Sequence, residues 1–573
     1  MSSLAFVKVL LLAVFFSAAQ ATQSCPDSLG IWPLPKKCAI NYDSPTATLS
    51  SDFQFNIAAA TKLRLSPSEL NILNQAFARY LKILKPLKAT QAEGSQPKPR
   101  VGDPDPNMEI FSLDISIGST GGMPAQRKTT GLAWPSQSAD ETYTLSIDGS
   151  EGSVLGGTGS VWGVLRGLET FSQLFDLESG MVPYSKFVID DAPRWNYRGV
   201  MLDTGRHFVS STHFKALIDG MAYNKFNVLH WHITDDQSFP IVSSTYPELA
   251  NQGSFGMDGR HIYSPGTVAD IIDFARVRGV RVIPEFDMPG HSTSWFVGYP
   301  GLRTDCPAGS VKEFSKPMDP SKNYTYSFLQ KFLKEMSGRF QDEFFHIGGD
   351  EVDGTCWQST SSVQQFCKDH NLTSSPALQM YFEEKVVSML TNLGKTPVIW
   401  EENFGSTTGY PEGAIVEVWK HKWGNTTILD TLIKEGYKTI YTTTDWYLDY
   451  STNAINGGFT RRIDDISEWE YYYRVEPFTN SSLDEKEQEK LLGAEVCSWN
   501  PYFDGTNLLS NVFPRSVAVG ERLWSDKSVR NLTSALSRIQ NQRCRMVARG
   551  IPVSPVNFAD HCPYPYEFTY VSP

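Results

Sequence analysis

Apolar positions follow two rhythms along the chain. From residue 25 to about 190, short alternating runs such as Met108–Ile117 (MEIFSLDISI) and Thr142–Ile147 predict strands, because a period of two lines one face of a sheet. Leu70–Leu84 carries its apolar residues at helical spacing, and so does Ser160–Phe175, with Val161, Leu165, Leu168 and Leu174 on one side. Gly157-Thr158-Gly159, just before that helix, misses the spacing of a phosphate-binding G-x-G-x-x-G and reads as a helix-entry turn. Residues 88–107 are polar and proline-rich, the composition of a loop. These elements predict a small α+β domain over residues 22–190.

From Asp191 onward the rhythm changes. Eight near-continuous apolar runs occur: Arg198–Thr204, Asn227–Asp235, Arg281–Asp287, Phe344–Glu351, Thr396–Glu402, Ala414–Trp419, Lys438–Thr444 and Gly493–Trp499. Helical segments such as Thr212–Tyr223, Thr267–Gly279, Tyr326–Phe340 and Pro376–Leu393 lie between them. Strands buried on both faces and linked by helices predict an α/β architecture, a (β/α)8 TIM barrel over residues 191–573. An open doubly wound sheet fits the same alternation. The barrel is favoured because almost every run ends in acids, His or Trp, and barrel strands deliver those ends to one common mouth.

Composition narrows the class. Hydrophobic residues make up 40% of the 573 and charged ones 20%, enough apolar material for a large core. The 63 acidic against 51 basic side chains give a net charge of -12, which speaks against a nucleic-acid partner, since phosphate binding needs a basic footprint. Residues 1–21 read as a signal peptide: Lys8 in a basic start, the apolar run Val9–Phe16, and Ala19-Gln20-Ala21 as a cleavage site. That run is too short to span a bilayer, and no later apolar stretch reaches spanning length. The eight cysteines fit a secretory route. Spacing suggests local bridges Cys25–Cys38 and Cys544–Cys562, with Cys306–Cys356 closing a long loop and Cys367 and Cys497 left over. Sequons at Asn323, Asn371, Asn425, Asn480 and Asn531 are glycosylation candidates on surface loops.

The candidate chemistry lies at the run ends. Run four closes on His346-Ile-Gly-Gly-Asp350-Glu351. Two adjacent acids on a strand end point different ways, so they suit different atoms of one substrate: one moves a proton and the other holds a group. Run three closes on Glu285, Asp287 and His291; run two on His230, His232, Asp235 and Asp236. For His230 and His232 the sequence favours hydrogen bonds within the barrel mouth, whereas His291 and Asp235 are read as tuning a catalytic acid. Trp400, Trp419 and Trp499 end three runs and together form an aromatic box suited to a sugar face or a small methyl group. Tyr447 and Asp449 follow run seven as a donor and an acceptor, and Arg198, on run one, is taken as a charged donor to hydroxyls.

With these residues in view, the chain resembles the β-N-acetylhexosaminidases of glycoside hydrolase family 20, close to the lysosomal and secreted eukaryotic type. The matching motifs are Arg198–His207 (RGVMLDTGRH), His230–Pro240 (HWHITDDQSFP), Pro284–His291 (PEFDMPGH), His346–Val352 (HIGGDEV), Trp446–Asp449 (WYLD) and Gly520–Trp524 (GERLW), with Ile31–Pro35 (IWPLP) near the start. The resemblance covers nearly the whole mature chain. It implies an exo-acting enzyme releasing terminal GlcNAc or GalNAc by a retaining, substrate-assisted mechanism, one of the exceptions to the two-carboxylate scheme. By resemblance Glu351 is general acid and then base, Asp350 orients the acetamide N–H, and Tyr447 donates to the acetamide oxygen. Trp400, Trp419 and Trp499 enclose the acetamide methyl and sugar face, Arg198 and Asp449 bind hydroxyls, and Asp235 with His291 forms a relay to Glu351. No cofactor or metal is implied. The partner is a carbohydrate ending in β-linked N-acetylhexosamine, with a homodimer expected, and the destination is a lysosome, a vacuole or the exterior. The first domain resembles the family's zincin-like accessory domain, but contains no H-E-x-x-H.

One position departs from the family. In Cys497-Ser-Trp-Asn-Pro501 a proline stands where relatives commonly carry a glutamate that binds outer hydroxyls, so the gluco/galacto preference is open. Tyr450 stands where members that accept sulfated sugars carry arginine, which makes activity on anionic substrates doubtful. Two rival classes have distinguishing marks. A metal-dependent hydrolase would use the ligand-like spacing of His230-Trp-His232 and would fail with chelator. A non-catalytic sugar-binding protein would have no need for Asp350, Glu351 and Tyr447 together. Chitin oligomers, N-glycan ends and glycolipids all fit as substrates.

Overall fold

A computed structural model describes residues 25–84, 108–118, 131–177, 179–256, 260–312, 316–402, 404–405, 409–420, 423–449, 468–557, 559 and 561–562. The predicted signal peptide and the proline-rich segment 88–107 lie outside these residues.

The first domain is a seven-stranded sheet. Its strands are β1 (Lys37–Ile40), β2 (Ala47–Ile57), β3 (Glu109–Gly118), β4 (Tyr143–Asp148), β5 (Glu151–Thr158), β6 (Met181–Val182) and β7 (Lys186–Asp191), in the order β1-β7-β4-β5-β3-β2-β6. β2, β3 and β5 run parallel and the other pairings are antiparallel. The helix Pro67–Leu84 starts where Ser66 and Glu69 exchange side-chain-to-backbone hydrogen bonds of 3.3 and 2.8 Å, a capping box that satisfies two free N–H groups. The helix Val161–Gln173 starts at Ser160, whose hydroxyl accepts from the Trp162 N–H, and Gly157–Gly159 is the turn into it. All thirteen residues of this helix are buried, including Arg166, Glu169 and Gln173. Its apolar side shares a core with the sheet, and its polar side faces the second domain.

That second domain begins with β8, past the end of β7 at Asp191. β8 (Tyr197–Asp203), β9 (Val228–Thr234), β10 (Arg281–Phe286), β11 (Phe344–His346), β12 (Thr396–Trp400), β13 (Ile415–Val418), β14 (Thr439–Tyr441) and β15 (Leu491–Ser498) close into an all-parallel barrel, β15 pairing with β8. Each strand occupies the body of one predicted run. Inward side chains stack in layers. Tyr197, Val228, Ile283, Phe344, Val398, Ile415 and Ile440 form an apolar floor. Above it lie the buried ionisable groups His230, Glu285, His346, Glu417 and Glu495. Above these, Met201, Trp400, Tyr447 and Cys497 line the base of the mouth.

The domains interlock through buried ions. Glu141 accepts from Arg166 (2.7 Å), Arg198 (2.6 Å) and the Asn227 amide (2.9 Å). Lys225, fully buried, donates to Asp191 at 2.8 Å and to the Tyr143 hydroxyl at 2.9 Å. Arg166 also donates to the Gly279 carbonyl at 2.8 Å. The disulfides are Cys25–Cys38, Cys306–Cys356 and Cys544–Cys562, with Cys367 and Cys497 free. All five sequon asparagines are exposed. Among the described residues no helix is long and apolar enough to cross a membrane.

Candidate active site

The chemistry sits in the loops beyond the strands, not on them. β11 ends at His346, four residues before Asp350. Gly348 (φ +70°) and Gly349 (φ +104°) turn the chain there, and Glu351 itself takes φ +50°. A Cβ on Gly348 would stand 1.8 Å from Asp287 Oδ1, so this turn needs glycine for space as well as for conformation. The two acids diverge because of this turn, which corrects the expectation that strand alternation separates them. Asp350 is mostly buried, its side chain 14% exposed, while the Glu351 side chain is 61% exposed at the mouth.

His291 joins them. It too has a left-handed backbone, φ +45°, a conformation costing about 1–3 kcal/mol in a non-glycine residue and held by its surroundings. Its Nδ1 lies 3.3 Å from Asp235 Oδ1, and its Nε2 lies 3.5 Å from Glu351 Oε2 and 3.7 Å from Asp350 Oδ2. Burial alone would lower the imidazole, but Asp235 and Asp350 raise it well above its ordinary value, so it is a cation. The His291 hydrogen bond in turn holds the Glu351 carboxyl below the usual carboxylate value. Burial raises Asp350, and burial together with Asp350 raises Asp287 strongly. Asp235 resists its burial because Arg206 and His291 hold it ionised, far below the usual value.

His230 and His232 lie among the buried ionisable groups, both ring nitrogens of each against carboxylates. His232 reaches Glu285 at 2.6 Å and Asp235 at 3.1 Å; His230 reaches Glu495 at 2.8 Å and Glu285 at 3.0 Å. Glu285 raises His232 to about 10 against the effect of burial. The ligand-like spacing places both histidines in a chain of ion pairs beneath Asp235, and His230 with Glu285 and His346, like His232 with Asp235 and Asp287, stands close enough together to hold a metal ion.

The aromatic side of the mouth is apolar and tight. Trp400 and Trp499 lie 5.9 Å apart between ring centroids, and Tyr447 and Trp499 lie 6.0 Å apart, with Trp419 packed against the same group. The Trp400 indole N–H donates to Glu285 at 2.8 Å, which fixes the ring. The Tyr472 hydroxyl donates to the Tyr447 carbonyl at 2.7 Å, and the Leu448 N–H to the Cys497 carbonyl at 2.8 Å, holding the segment that ends at Asp449. The acidic turn with His291 and this aromatic group thus stand at the same mouth, Arg206 reaching from Asp235 to the Trp499 ring.

Arg198 is not in this site. It opens β8, at the far end of the barrel, fully buried, with its guanidinium on Glu141 and on the Lys225 and Trp195 carbonyls. The arginine at the mouth is Arg206, which the sequence reading passed over. It pairs with Asp203 at 3.1 Å and Asp235 at 2.8 Å and lies 5.1 Å over the Trp499 ring. Its position past the C-terminal end of the run was the available signal. Pro501 is exposed, directly after Asn500, whose amide and backbone N–H bind Asp203.

Comparison with known proteins agrees with the geometry. The family model described as glycosyl hydrolase family 20, catalytic domain, matches residues 195–527, and one described as beta-acetyl hexosaminidase like matches 31–174. The chain is 40% identical over 544 residues to the beta-hexosaminidase subunit beta of Sus scrofa, covering 94% of each. It is 41% identical over 433 residues to the Homo sapiens subunit beta (75% of this chain, 74% of that one) and 34% over 543 residues to the Mus musculus subunit alpha (94% and 96%). Among solved structures, the Flavobacterium johnsoniae chitobiase superposes with a TM-score of 0.73 at 28% identity, covering 91% of this chain and 73% of that one.

Proposed function

The chain belongs to glycosyl hydrolase family 20, and from that premise we propose that it is an exo-acting β-N-acetylhexosaminidase that removes terminal GlcNAc or GalNAc with retention, using the substrate's own acetamide as nucleophile. The observation that carries this reading is the division of the mouth into two halves. One half holds Asp350, Glu351 and the His291–Asp235 relay; the other is the aromatic box of Trp400, Trp499 and Tyr447.

In the first step the acetamide oxygen bonds to the anomeric carbon as the glycosidic C–O bond breaks, and Glu351, taking up a proton from the neighbouring His291 imidazolium, gives it to the leaving oxygen. In the second, water attacks the anomeric carbon of the oxazolinium, the bond from that carbon to the acetamide oxygen breaks, and Glu351 takes the water's proton. A nucleophile already tethered to the substrate has a high effective molarity, so the protein needs no nucleophile of its own. Asp350, beside the ring, takes the acetamide N–H and balances the developing positive charge. The Asp235–His291 pair holds the proton inventory of Glu351 across both steps. Trp400, Trp419 and Trp499 exclude water from the acetamide methyl, and Tyr447 donates to its oxygen. Asp449 and Arg206 bind sugar hydroxyls; Arg206 takes the role the sequence reading gave to Arg198. The disulfides support a secretory route.

The test is hydrolysis of p-nitrophenyl β-glycosides of GlcNAc and GalNAc by wild type and Glu351→Gln, with and without EDTA. Wild type cleaves both, EDTA changes nothing, and Glu351→Gln loses about 10²–10⁴-fold. Folded wild type that cleaves neither glycoside would end this reading.

A further inference from the structure

A pair of helix residues outside the mouth grips the turn that carries the catalytic acids. Gln379 and Glu383 sit one turn apart on the helix Ser375–Asn392, facing the barrel, and are only 4% and 3% exposed. The Gln379 Nε2 donates to the Gly349 carbonyl at 2.6 Å and to Glu383 Oε1 at 2.8 Å. An amide NH2 has two hydrogens, and both are used. The Gly349 carbonyl belongs to the peptide that begins Asp350. The preceding peptide is held from the other side, where the Gly349 N–H donates to Asp287 Oδ1 at 3.0 Å. Two consecutive peptides are thus fixed from opposite walls, leading into Asp350 and one peptide ahead of Glu351 at φ +50°. Glu383 also packs against Gly349 directly: a Cβ there would lie 3.1 Å from its Oε1.

We propose that Gln379 and Glu383 are positioning residues for the reaction, a clamp that fixes the Gly349–Asp350 peptide and so aims Asp350 at the acetamide; this rests on the roles of Asp350 and Glu351 proposed above. Glu383 orients the Gln379 amide and so acts at one remove from the peptide. Burial, with Glu402 nearby, holds the Glu383 carboxyl up at about 8, so it works as a neutral acceptor and puts no second negative charge behind Asp350. A misplacement of about 1 Å at a reacting group costs on the order of a hundredfold, so the clamp's effect belongs in kcat.

The experiment uses p-nitrophenyl N-acetylglucosaminide and its mono-, di- and trifluoroacetyl analogues, in which fluorine progressively weakens the amide oxygen as nucleophile. Wild-type rates fall steeply along this series. Gln379→Met, near-isosteric but without donors, is expected to lower kcat about ten- to a hundredfold with KM within about twofold, and to flatten the dependence on fluorination. Glu383→Gln, which keeps the acceptor, should stay within about threefold of wild type, and the double variant Gln379→Met/Glu383→Met should be no worse than Gln379→Met. Glu383→Met carries the same expectation should Gln379→Met fail to fold. A folded Gln379→Met enzyme with wild-type kcat, or with lowered kcat but an unchanged fluorine dependence, overturns the clamp. A wild type indifferent to fluorination overturns the substrate-assisted reading, and the clamp with it.

Discussion

Arg198 and Arg206 are eight positions apart in one motif and do unrelated work. Strand polarity decides between them: Arg198 opens β8 and Arg206 follows its end, so the barrel's length separates them. Arg198→Met therefore removes a buried counter-ion of Glu141 and should cost about 3–5 kcal/mol in denaturant unfolding, with KM unchanged in the protein that remains. Arg206→Met should lower kcat/KM about ten- to a hundredfold in the enzyme that remains folded, and should also lower the unfolding midpoint, because Asp203 and Asp235 lose a buried counter-ion. The acids, the tryptophans and His291 were legible because each sits at the end of an apolar run. Arg198 was misread because its partner Glu141 lies in the other domain, and no local pattern announces a pairing across 57 residues. Gln379 and Glu383 were invisible for a related reason: a polar pair one turn apart reads as a solvated helix face until the helix is docked.

At the level of elements, most of the predicted runs are longer than the strands they form, though β8 equals and β15 exceeds its run. Run four spans eight residues, but only Phe344–His346 pairs as a strand; Gly348 and Gly349 at positive φ break the ladder, and the remaining residues become the loop that carries Asp350 and Glu351. Adjacent glycines in an apolar run were the clue to that break. The same loop is tied from its far side. Cys356 lies five residues after Glu351, on the short helix Gly354–Ser359, and is bridged to Cys306 across a separation of 50 residues. Closing a loop of that length in the unfolded chain is worth about 4 kcal/mol by the chain-entropy argument. Cys306→Ser/Cys356→Ser should accordingly unfold at lower denaturant. Its proximity to the acid turn adds a second expectation: kcat falls more than KM rises, read from steady-state kinetics on the p-nitrophenyl substrate.

For the whole molecule, buried ionisable groups make stability depend on pH in a definite direction. Burial lifts Glu383 to about 8 and Glu401 to about 7, both above the ordinary 4.5. The unfolded chain sheds those protons first, so stability is lost as the pH rises through that interval. His232, raised to about 10 from 6.5 by Glu285, contributes fully below about 6.5 and progressively less above it. Asp235 and Glu285 are shifted the other way, Asp235 by Arg206 and Glu285 by His232, each against its own burial; their contributions are present above the usual carboxylate range and vanish in acid. The terms together place maximal stability at a pH of about 5–6. Calorimetry should find a lower Tm at pH 8 than at 5.5, and Glu383→Gln with Glu401→Gln should flatten the alkaline slope.

The interlocked ions between the two domains carry a consequence for inheritance. A gene fragment encoding the barrel alone would retain Arg198 and Lys225 in its interior while losing Glu141 and Tyr143, and would bare the carbonyl of Gly279 that Arg166 now covers. Arg198 would lose its carboxylate partner, and breaking a buried pair of this kind costs about 3–5 kcal/mol, a large part of a domain's margin of stability. Neither half is therefore a free-standing module for recombination to shuffle. The small domain, none of whose described residues lies in the candidate site, travels with the barrel because Arg198 finds its carboxylate, Glu141, across the boundary.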